Sequence, residues 1–318
     1  NMRPSKVRVI GWLLSDLFVD IFPGVLQISR IIRQEKIDII HLNNHLGFDL
    51  DGIIAAKLCG IACVVHQRGF GRVSRLTRFL SRYVEVLICI SGAVRRHYAL
   101  EGILPKRVVR IYDGIDISST IPSVVSKSVR CGLAIEDKGP IVGIIGTIQP
   151  WKGQREVILA IKQVREIFPD IRCLIVGEIF DPSYDRQIKA LVDELELQEN
   201  IRYLGYRKDV LELMDGMDIV IHASTSPEPF GRVLIEAMVL GKPVIATKAG
   251  GPLEIVEDTV TGLLVPPGDP EALASAVIGL FENQMHSAKM GEAGRERVRK
   301  MFSLSHTIEE TEKIYAQL

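Results

Sequence analysis

The stretch SPEPFGRVLIEAMVLGKPVIATKAGG, residues 226–251, places two glutamates, Glu228 and Glu236, eight positions apart around a proline, an aromatic residue and a glycine. The preceding DIVIHAS predicts a buried strand, and RVLIEAMVLG predicts the helix that follows it. Ligands of open α/β sheets bind beyond the carboxyl ends of the strands. The loop that holds Glu228 and the backbone N–H groups of residues 230–233 therefore form a candidate site for a phosphate or a hydroxyl-rich ligand.

Glu236 falls about one and a half turns into this predicted helix and is surrounded in the sequence by apolar residues. A carboxylate in such surroundings is costly unless it accepts hydrogen bonds. The vicinal hydroxyls of a ribose or a hexose would supply those bonds. A solvated helix face or a salt bridge would also satisfy the charge, so the residues alone leave these alternatives open.

Short apolar segments rich in Val and Ile alternate with helical patterns along the whole chain. The strand candidates, in chain order, are KVRVIGWLL, IDIIHL, ACVVHQ, VEVLICIS, PIVGIIGT, IRCLIVGE, IRYLGY, DIVIHAS, KPVIAT and TGLLVPP. Continuous apolar strands separated by helices are typical of parallel sheets covered on both faces. Gly, Pro, Ser and Lys concentrate in residues 112–140, which predicts a linker. The sequence thus predicts an α/β protein with two domains that face a cleft.

The composition favours a large core and a reducing compartment. Of the 318 residues, 47% are hydrophobic and 25% are charged, which argues against disorder. The five cysteines form no CxxC pair, so a zinc site is not predicted. No apolar run approaches the roughly 20 residues that span a bilayer, and no signal peptide is recognisable, which predicts a cytoplasmic protein. Residues 1–116 carry 17 Lys and Arg against 10 Asp and Glu, a basic excess that favours an anionic partner.

Several segments together carry a family resemblance. EPFGRVLIE, EAMVLGKPVIATKAGGPLEIV and TGLLVPPGDPEALASAV, with KIDIIHLNNH, VEVLICISGAVRRHY and GTIQPWKGQ before them, resemble the retaining glycosyltransferases of family 4, the group 1 glycosyltransferases of GT-B fold. The resemblance runs from about residue 30 to the C-terminus. It implies two Rossmann-like domains: an acceptor-side domain over 1–118 and a nucleotide-sugar-binding domain over 119–300. Residues 301–318 would form a helix that returns to the first domain.

The resemblance also implies roles for individual residues. Glu228 would contact hydroxyls of the donor sugar, Glu236 would bind the ribose hydroxyls, and Lys152 would neutralise the leaving diphosphate. The loop after the strand IVGIIG, which leads into a helix, independently makes Lys152 a candidate anion ligand; a solvent-exposed lysine at a helix start is the alternative. The other positions implied to contact the donor are Gly146, Thr147, Gly205, Tyr206, Pro229, Phe230, Gly231, Arg232 and Val233.

The chain departs from the family pattern in three places. Thr147 stands where an arginine normally joins the lysine on the diphosphate, and Arg155 or Arg232 would have to compensate. No segment that matches the family's first strand and glycine-rich loop precedes KVRVIGWLL, which predicts an incomplete first domain. The family often places a histidine before the glycine of the strand ACVVHQRGF; that position is Arg68 here, and either Arg68 or His66 is expected to face the cleft. His41 is expected to support the fold.

A run of arginines predicts a basic amphipathic helix. Arg72, Arg75, Arg78 and Arg82 recur at helical spacing, with apolar residues on the other faces. Such a helix suits peripheral association with an anionic membrane or binding of a phosphorylated acceptor, and a solvated face of an ordinary helix is the alternative. No nucleic-acid partner is predicted, because no recognition motif or aromatic platform accompanies the charge.

The expected function is metal-independent transfer of a sugar from a nucleotide-diphosphate sugar to an acceptor hydroxyl, with retention of anomeric configuration. The acceptor would be a glycan or a lipid-linked molecule, in polysaccharide, lipopolysaccharide or glycolipid biosynthesis. Catalytic roles fall to Glu228, Lys152 and His66, and no cofactor beyond the donor is expected. The alternative is a non-catalytic sugar-nucleotide-binding protein or a truncated remnant of such an enzyme. An epimerase or phosphorylase of the same fold lacks support from the Glu228–Glu236 pattern, and a dinucleotide-dependent oxidoreductase would need a GxGxxG motif that is absent.

Overall fold

The computed structural model describes residues 21–117 and 139–318. The predicted strand KVRVIGWLL and most of the predicted linker lie outside these residues. The chain divides into two compact units, one formed by residues up to Tyr112 together with Glu309–Leu318, and the other by Asp113–Ile308. Each unit is built on a parallel sheet. The predicted α/β class with two parallel-sheet domains is therefore confirmed.

The first unit contains a four-stranded sheet in the order β1-β2-β3-β4. Its elements are α1 (Phe22–Glu35), β1 (Ile39–Leu42), α2 (Leu50–Cys59), β2 (Ala62–Gln67), α3 (Arg75–Leu80), β3 (Val86–Cys89), α4 (Gly92–Leu100) and β4 (Arg107–Arg110). The apolar strands β2 and β3 are buried almost along their whole length. Ile314 and Tyr315 near the C-terminus pack against this sheet.

The predicted basic helix is shorter in the structure than the arginine spacing indicates. Ser74 caps α3 by accepting a hydrogen bond from the backbone N–H of Thr77, so the helix begins at Arg75 and Arg72 precedes it. A 3-10 turn over Ser81–Tyr83 follows. The prediction of one amphipathic helix carrying all four arginines is thus wrong, because a serine cap sets the start of the helix inside the run.

The second unit contains a six-stranded sheet in the order β10-β9-β8-β5-β6-β7. Its elements are β5 (Ile141–Ile145), α5 (Gln154–Ile167), β6 (Arg172–Val176), α6 (Pro182–Glu194), β7 (Ile201–Gly205), α7 (Val210–Gly216), β8 (Ile219–His222), α8 (Arg232–Val239), β9 (Val244–Thr247), α9 (Pro252–Ile255), β10 (Leu263–Val265), α10 (Pro270–Glu282) and α11 (Gln284–Met301). The last helix, α12 (Leu304–Tyr315), starts in this unit, and its residues from Glu309 onward belong to the first unit. All the strand pairings are parallel.

The central strands of this sheet are buried on both faces, as their unbroken apolar sequences predict. Capping residues fix the helix starts: Asp181 accepts hydrogen bonds from two N–H groups of α6, and Asp269 accepts one from α10. Both are followed by proline at the first helical position, where a missing N–H costs nothing. Within the two described ranges, no helix is long and apolar enough to cross a membrane.

Candidate active site

The order of the strands places a crevice at the carboxyl ends of β5 and β8. From β5 the chain continues to β6 on one side, whereas β8 pairs with β5 on the other side. Loops that leave two such neighbouring strands diverge to opposite faces of the sheet and open a gap where ligands of α/β proteins bind. The loop after β5 contains Lys152, and the loop after β8 contains Glu228.

Glycines bring these two loops into contact. Gly153 has φ +79°, and a Cβ there would lie 1.9 Å from the carbonyl oxygen of Ala223, so no other residue fits without a shift of the backbone. The backbone N–H of Thr225 donates a hydrogen bond of 2.8 Å to the carbonyl of Trp151. The segment just before α5 is therefore attached to the segment that follows β8.

Lys152 and Glu228 form an ion pair across this contact. The Lys152 Nζ lies 2.8 Å from Glu228 Oε2, and the two side chains are 20% and 13% exposed. The same ammonium lies 4.1 Å from the centroid of the Trp151 ring, within the range of a cation–π interaction. The two residues that sequence reasoning named for the diphosphate and the sugar are thus brought together.

Two residues that sequence reasoning missed join this pair. Ser224 Oγ donates to Glu228 Oε2 at 3.0 Å, and His222 Nε2 lies 3.3 Å from the same oxygen. His222 is the last residue of β8, and only 5% of it is exposed. A signal was present in the sequence, since two polar residues follow the apolar run DIVI just ahead of the acid.

The donors around Glu228 keep its carboxyl ionised. Burial by itself raises the pKa of Glu228, but the hydrogen bond and charge of His222, followed by those of Lys152, outweigh it and lower the pKa from 4.5 to about 2. The main chain of Glu228 is also fixed, because its carbonyl accepts a 2.7 Å hydrogen bond from the N–H of Gly251. The adjacent Gly250 has φ +76°, and a Cβ there would lie 2.2 Å from that carbonyl oxygen.

Glu236 lies on α8, which begins after Gly231 without a side-chain cap. Its Oε1 accepts a 3.2 Å hydrogen bond from Arg232 Nε, one helical turn earlier. Burial raises the pKa of Glu236, and the Arg232 guanidinium opposes that rise. Both the apolar surroundings and the salt bridge considered from the sequence are present, and the ribose role of Glu236 stays a prediction. Phe230, before the helix, is buried with its ring 6.0 Å from that of Phe302.

Thr147 has polar neighbours of its own. Its hydroxyl accepts a 2.7 Å hydrogen bond from Gln149 Nε2, and its carbonyl accepts one of 3.0 Å from Gln154. Arg155 is one of the two cations considered as compensating. Its Nη1 lies 3.9 Å from Glu156 Oε1, and its side chain lines a groove with residues of α6. Arg232, the other candidate, is paired with Glu236.

Gly146 and Gly205, which the resemblance places at the donor, lie at the carboxyl ends of β5 and β7. The N–H of Gly146, after β5, donates to the carbonyl of Val176, and the N–H of Gly177, after β6, donates to Gly205 at the end of β7. Gly205 has φ +63°, and the following Tyr206 is exposed. The resemblance implies that Gly205 and Tyr206 lie near the nucleotide base and that Gly146 lets the backbone approach the diphosphate, and both assignments stay predictions.

His66 lies in the first unit, on β2, and is 3% exposed. Its ring stacks on that of His41 at 5.6 Å, and His41 Nδ1 hydrogen-bonds the Tyr315 hydroxyl. Burial, together with the charges of Arg68 and His41, lowers the pKa of His66 to about 3. Arg68 Nε donates to the side chain of Asn43 at 2.9 Å. A catalytic part for His66 or Arg68 stays a prediction. Among residues 21–117 and 139–318, no three His, Cys, Asp or Glu side chains are grouped so as to hold a metal ion.

Comparison with known protein families decides the affiliation of the chain. The model for glycosyl transferases group 1 matches residues 127–297, and the model for glycosyltransferase family 4 matches residues 3–119. The chain belongs to the group 1 glycosyltransferases. The resemblance seen in the sequence is confirmed, and the fold of this group 1 glycosyltransferase is GT-B, as in its structural neighbours.

Three relatives illustrate the similarity. The putative glycosyltransferase YtcC of Bacillus subtilis is 29% identical over 64% of this chain and 53% of its own length. The N-acetyl-alpha-D-glucosaminyl L-malate synthase of Bacillus anthracis is 25% identical over 91% of this chain and 77% of its own. The crystal structure of Anabaena Alr3699/HepE in complex with UDP is 28% identical, with a TM-score of 0.87 over 93% of this chain and 82% of that one. The chain thus spans about half the length of some curated relatives that it matches.

Proposed function

We propose that this chain is a retaining glycosyltransferase that binds a nucleotide-diphosphate sugar at the carboxyl ends of β5 and β8. The observation that supports this best is the ion pair of Lys152 and Glu228, with His222 and Ser224 around it, at the switch point of the sheet. The pair offers a cation for a diphosphate and, hydrogen-bonded to that cation, a carboxylate for the hydroxyls of a sugar. Membership of the group 1 family gives the same reaction class.

In this proposal the residues act on the leaving group rather than through a metal. Lys152 and the N–H groups at the start of α8 stabilise the negative charge that develops on the diphosphate when the sugar–phosphate bond breaks. The acceptor hydroxyl attacks the anomeric carbon from the face that the diphosphate leaves, and a diphosphate oxygen takes the acceptor proton. Glu228 binds hydroxyls of the sugar, and Glu236 binds those of the ribose.

Uridine is the first base to test. Alr3699/HepE has been crystallised with UDP and with UDP-glucose, and its similarity to this chain extends over most of both proteins. We extend to this chain the glycolipid-type pathways named in several relatives, including an inositol 3-phosphate glycosyltransferase and a phosphatidylinositol N-acetylglucosaminyltransferase subunit. A glycan or lipid-linked acceptor follows from them.

Calorimetric titration with UDP, GDP and ADP tests the donor site. We expect one of them to bind, and Glu236→Ala to weaken that binding strongly, because the ribose hydroxyls lose their acceptor. Glu228→Ala is expected to spare the free nucleoside diphosphate and to weaken the matching nucleotide sugar. Glu282→Gln, an exposed acid at the end of α10, is the control for loss of a carboxylate. If the wild-type chain binds none of the three nucleotides, the proposal is wrong.

The environment of Thr147 favours a second candidate, a sugar-nucleotide-binding protein without turnover. A neutral threonine bonded to Gln149 stands where the family places a cation. Removing one neutral hydrogen-bond donor from a developing anion costs about 2.7–4 kcal/mol of transition-state stabilisation in a well-studied oxyanion site. Slow release of sugar from the donor, measured after the titration, supports the enzyme. Tight binding of donor with no turnover in the presence of varied acceptors supports the binder.

We also propose peripheral association of the first unit with an anionic membrane. Arg75 is exposed on α3, and Arg82 lies 4.3 Å from the ring of Phe79, which is itself 47% exposed. The backbone N–H of Leu104 donates a hydrogen bond to the hydroxyl of Ser81, which lies next to Arg82 in the sequence, and Leu104 is 61% exposed. Arginines flanking exposed apolar side chains suit the boundary between headgroups and acyl chains.

Sedimentation with vesicles tests this surface. We expect binding to vesicles that contain phosphatidylglycerol, weaker binding at high salt, and none to neutral phosphatidylcholine vesicles. The double change Arg75→Glu and Arg82→Glu should abolish it. Arg186→Glu, an exposed arginine on α6 in the second unit, is the matched control. Equal loss in the control and the double variant would contradict a localised surface.

A further inference from the structure

The two oxygens of Glu228 have very different surroundings. Lys152 Nζ at 2.8 Å, Ser224 Oγ at 3.0 Å and His222 Nε2 at 3.3 Å all converge on Oε2. Oε1 accepts no hydrogen bond from any residue in 21–117 or 139–318. A carboxylate has about four lone-pair sites on its two oxygens, so this arrangement uses one oxygen fully and leaves the other open.

We propose that His222 and Ser224 are positioning residues that fix Glu228 through Oε2 and thereby present Oε1 to a hydroxyl of the donor sugar. This rests on the proposed function, since it assigns a task within the donor site. Neither residue is expected to touch the donor itself. Their effect passes through the orientation of one carboxylate.

The location of His222 suits this task. It ends strand β8, which is buried at every position, so packing on all sides restrains its ring. Because a carboxylate oxygen can only accept, Nε2 must carry the proton of the hydrogen bond. Its Nδ1 is buried and has no partner among the described residues, so both polar contacts of the ring, to Glu228 and to Ser224, are made through Nε2.

The arrangement also frees Lys152 for a second ligand. An ammonium group has three protons, and only one is used at Glu228. When a diphosphate draws Lys152 away, an isolated buried carboxylate would be left with a large desolvation cost. His222 and Ser224 would continue to donate to Oε2, so Glu228 stays ionised and keeps its orientation while the lysine binds phosphate.

The test compares nucleoside diphosphates with their sugar conjugates in calorimetry. The ligand pairs are UDP and UDP-glucose, GDP and GDP-mannose, and ADP and ADP-glucose; the variants are His222→Leu, Ser224→Ala and His222→Gln. We expect His222→Leu and Ser224→Ala to raise the Kd of the sugar conjugate by about tenfold or more, as for loss of a hydrogen bond to a charged group. The Kd of the nucleoside diphosphate should stay within about twofold, because it makes no contact with Oε1.

His222→Gln and a neighbouring serine provide the controls. The glutamine amide can place an N–H near the location of Nε2, so it should restore most of the affinity for the sugar conjugate. Ser226→Ala, two residues after Ser224 and exposed, should change neither affinity. Ser224→Ala removes a single oxygen, so it carries the test even if His222→Leu does not fold, as checked by circular dichroism.

Each outcome has one meaning. Selective weakening of the sugar conjugate with rescue by glutamine supports the inference. Equal weakening of both ligands, or no weakening, overturns it while the donor site stands. If the wild-type chain binds none of the six ligands, the proposed function fails and the inference fails with it.

Discussion

The ionised carboxyl of Glu228, held by His222 and Lys152 at the carboxyl ends of β5 and β8, should make a contribution to stability that depends on pH. Glu228→Gln removes the charge and keeps the size of the side chain. The pKa of Glu228 falls from 4.5 to about 2 in the folded protein, where burial acts to raise it and the groups of His222 and Lys152 prevail. At 1.36 kcal/mol for each pH unit, the site favours the ionised carboxyl by about 3 kcal/mol. Since the side chain is only 13% exposed, solvent screening reduces this value little.

The sign of the effect follows from the direction of the shift. The folded pKa lies below the unfolded one, so the contribution is complete above about pH 4.5 and is lost as the pH falls towards about 2. Between pH 6 and pH 3, about 2 kcal/mol of it should disappear. Glu228→Gln has no proton to bind there. The stability difference between the wild type and this variant should therefore shrink by about 2 kcal/mol over that range.

Trp151 offers a local probe for the measurement. The chain has two tryptophans, Trp12 and Trp151, and the ring of Trp151 lies 4.1 Å from the Lys152 ammonium. Urea unfolding followed by fluorescence in a Trp12→Phe background then reports on the second unit at each pH. Glu282→Gln controls for the loss of one exposed carboxylate. Parallel loss of stability in the wild type and Glu228→Gln from pH 6 to pH 3 would refute the reasoning.

Two further predictions concern the nucleotide and the loop glycines. In calorimetry, Glu236→Ala should lower the affinity for the preferred nucleoside diphosphate by about a hundredfold, because the change removes a charged acceptor for two ribose hydroxyls. Lys152→Ala should lower that affinity less. Equal losses, or a larger loss for Lys152→Ala, would contradict these roles. Gly177→Ala should destabilise the protein by about 2 kcal/mol or more in thermal unfolding, because its Cβ would lie 1.9 Å from the Gly146 carbonyl oxygen. Gly279→Ala, a helical site where a Cβ meets nothing within 4 Å, should be neutral or stabilising by about 0.5–1 kcal/mol; equal losses would contradict the clash.

Much of the fold could be predicted because it depends on local patterns. Unbroken apolar runs predict strands that are buried on both faces, and IVIH of β8 and VIAT of β9 are buried at every position. The pair Asp181–Pro182 likewise predicts the start of α6, where Asp181 caps the helix. The spacing of the arginines predicts a longer helix than α3, because a charge pattern does not show where Ser74 caps the helix by accepting a hydrogen bond from the N–H of Thr77.

The site was only half predictable, because its chemistry depends on contacts between distant residues. Glu228 and Lys152 could be named from short motifs, but 76 residues separate them and nothing in either motif shows that they touch. A histidine at the end of an apolar strand is ordinarily a core residue, and only the path of the loop after β8 brings Glu228 back beside His222 and Ser224.

These contacts bear on the meaning of Thr147. Glu228 is already compensated by three donors in the free protein, so a second cation in the loop after β5 is not needed to keep that buried carboxylate ionised. The positive charge that the family has at the position of Thr147 matters only once a diphosphate is bound and gains negative charge as the sugar leaves. A site with one lysine can therefore fold and bind nucleotide normally, and the effect of Thr147 should fall on turnover, where differential stabilisation of the transition state decides the rate.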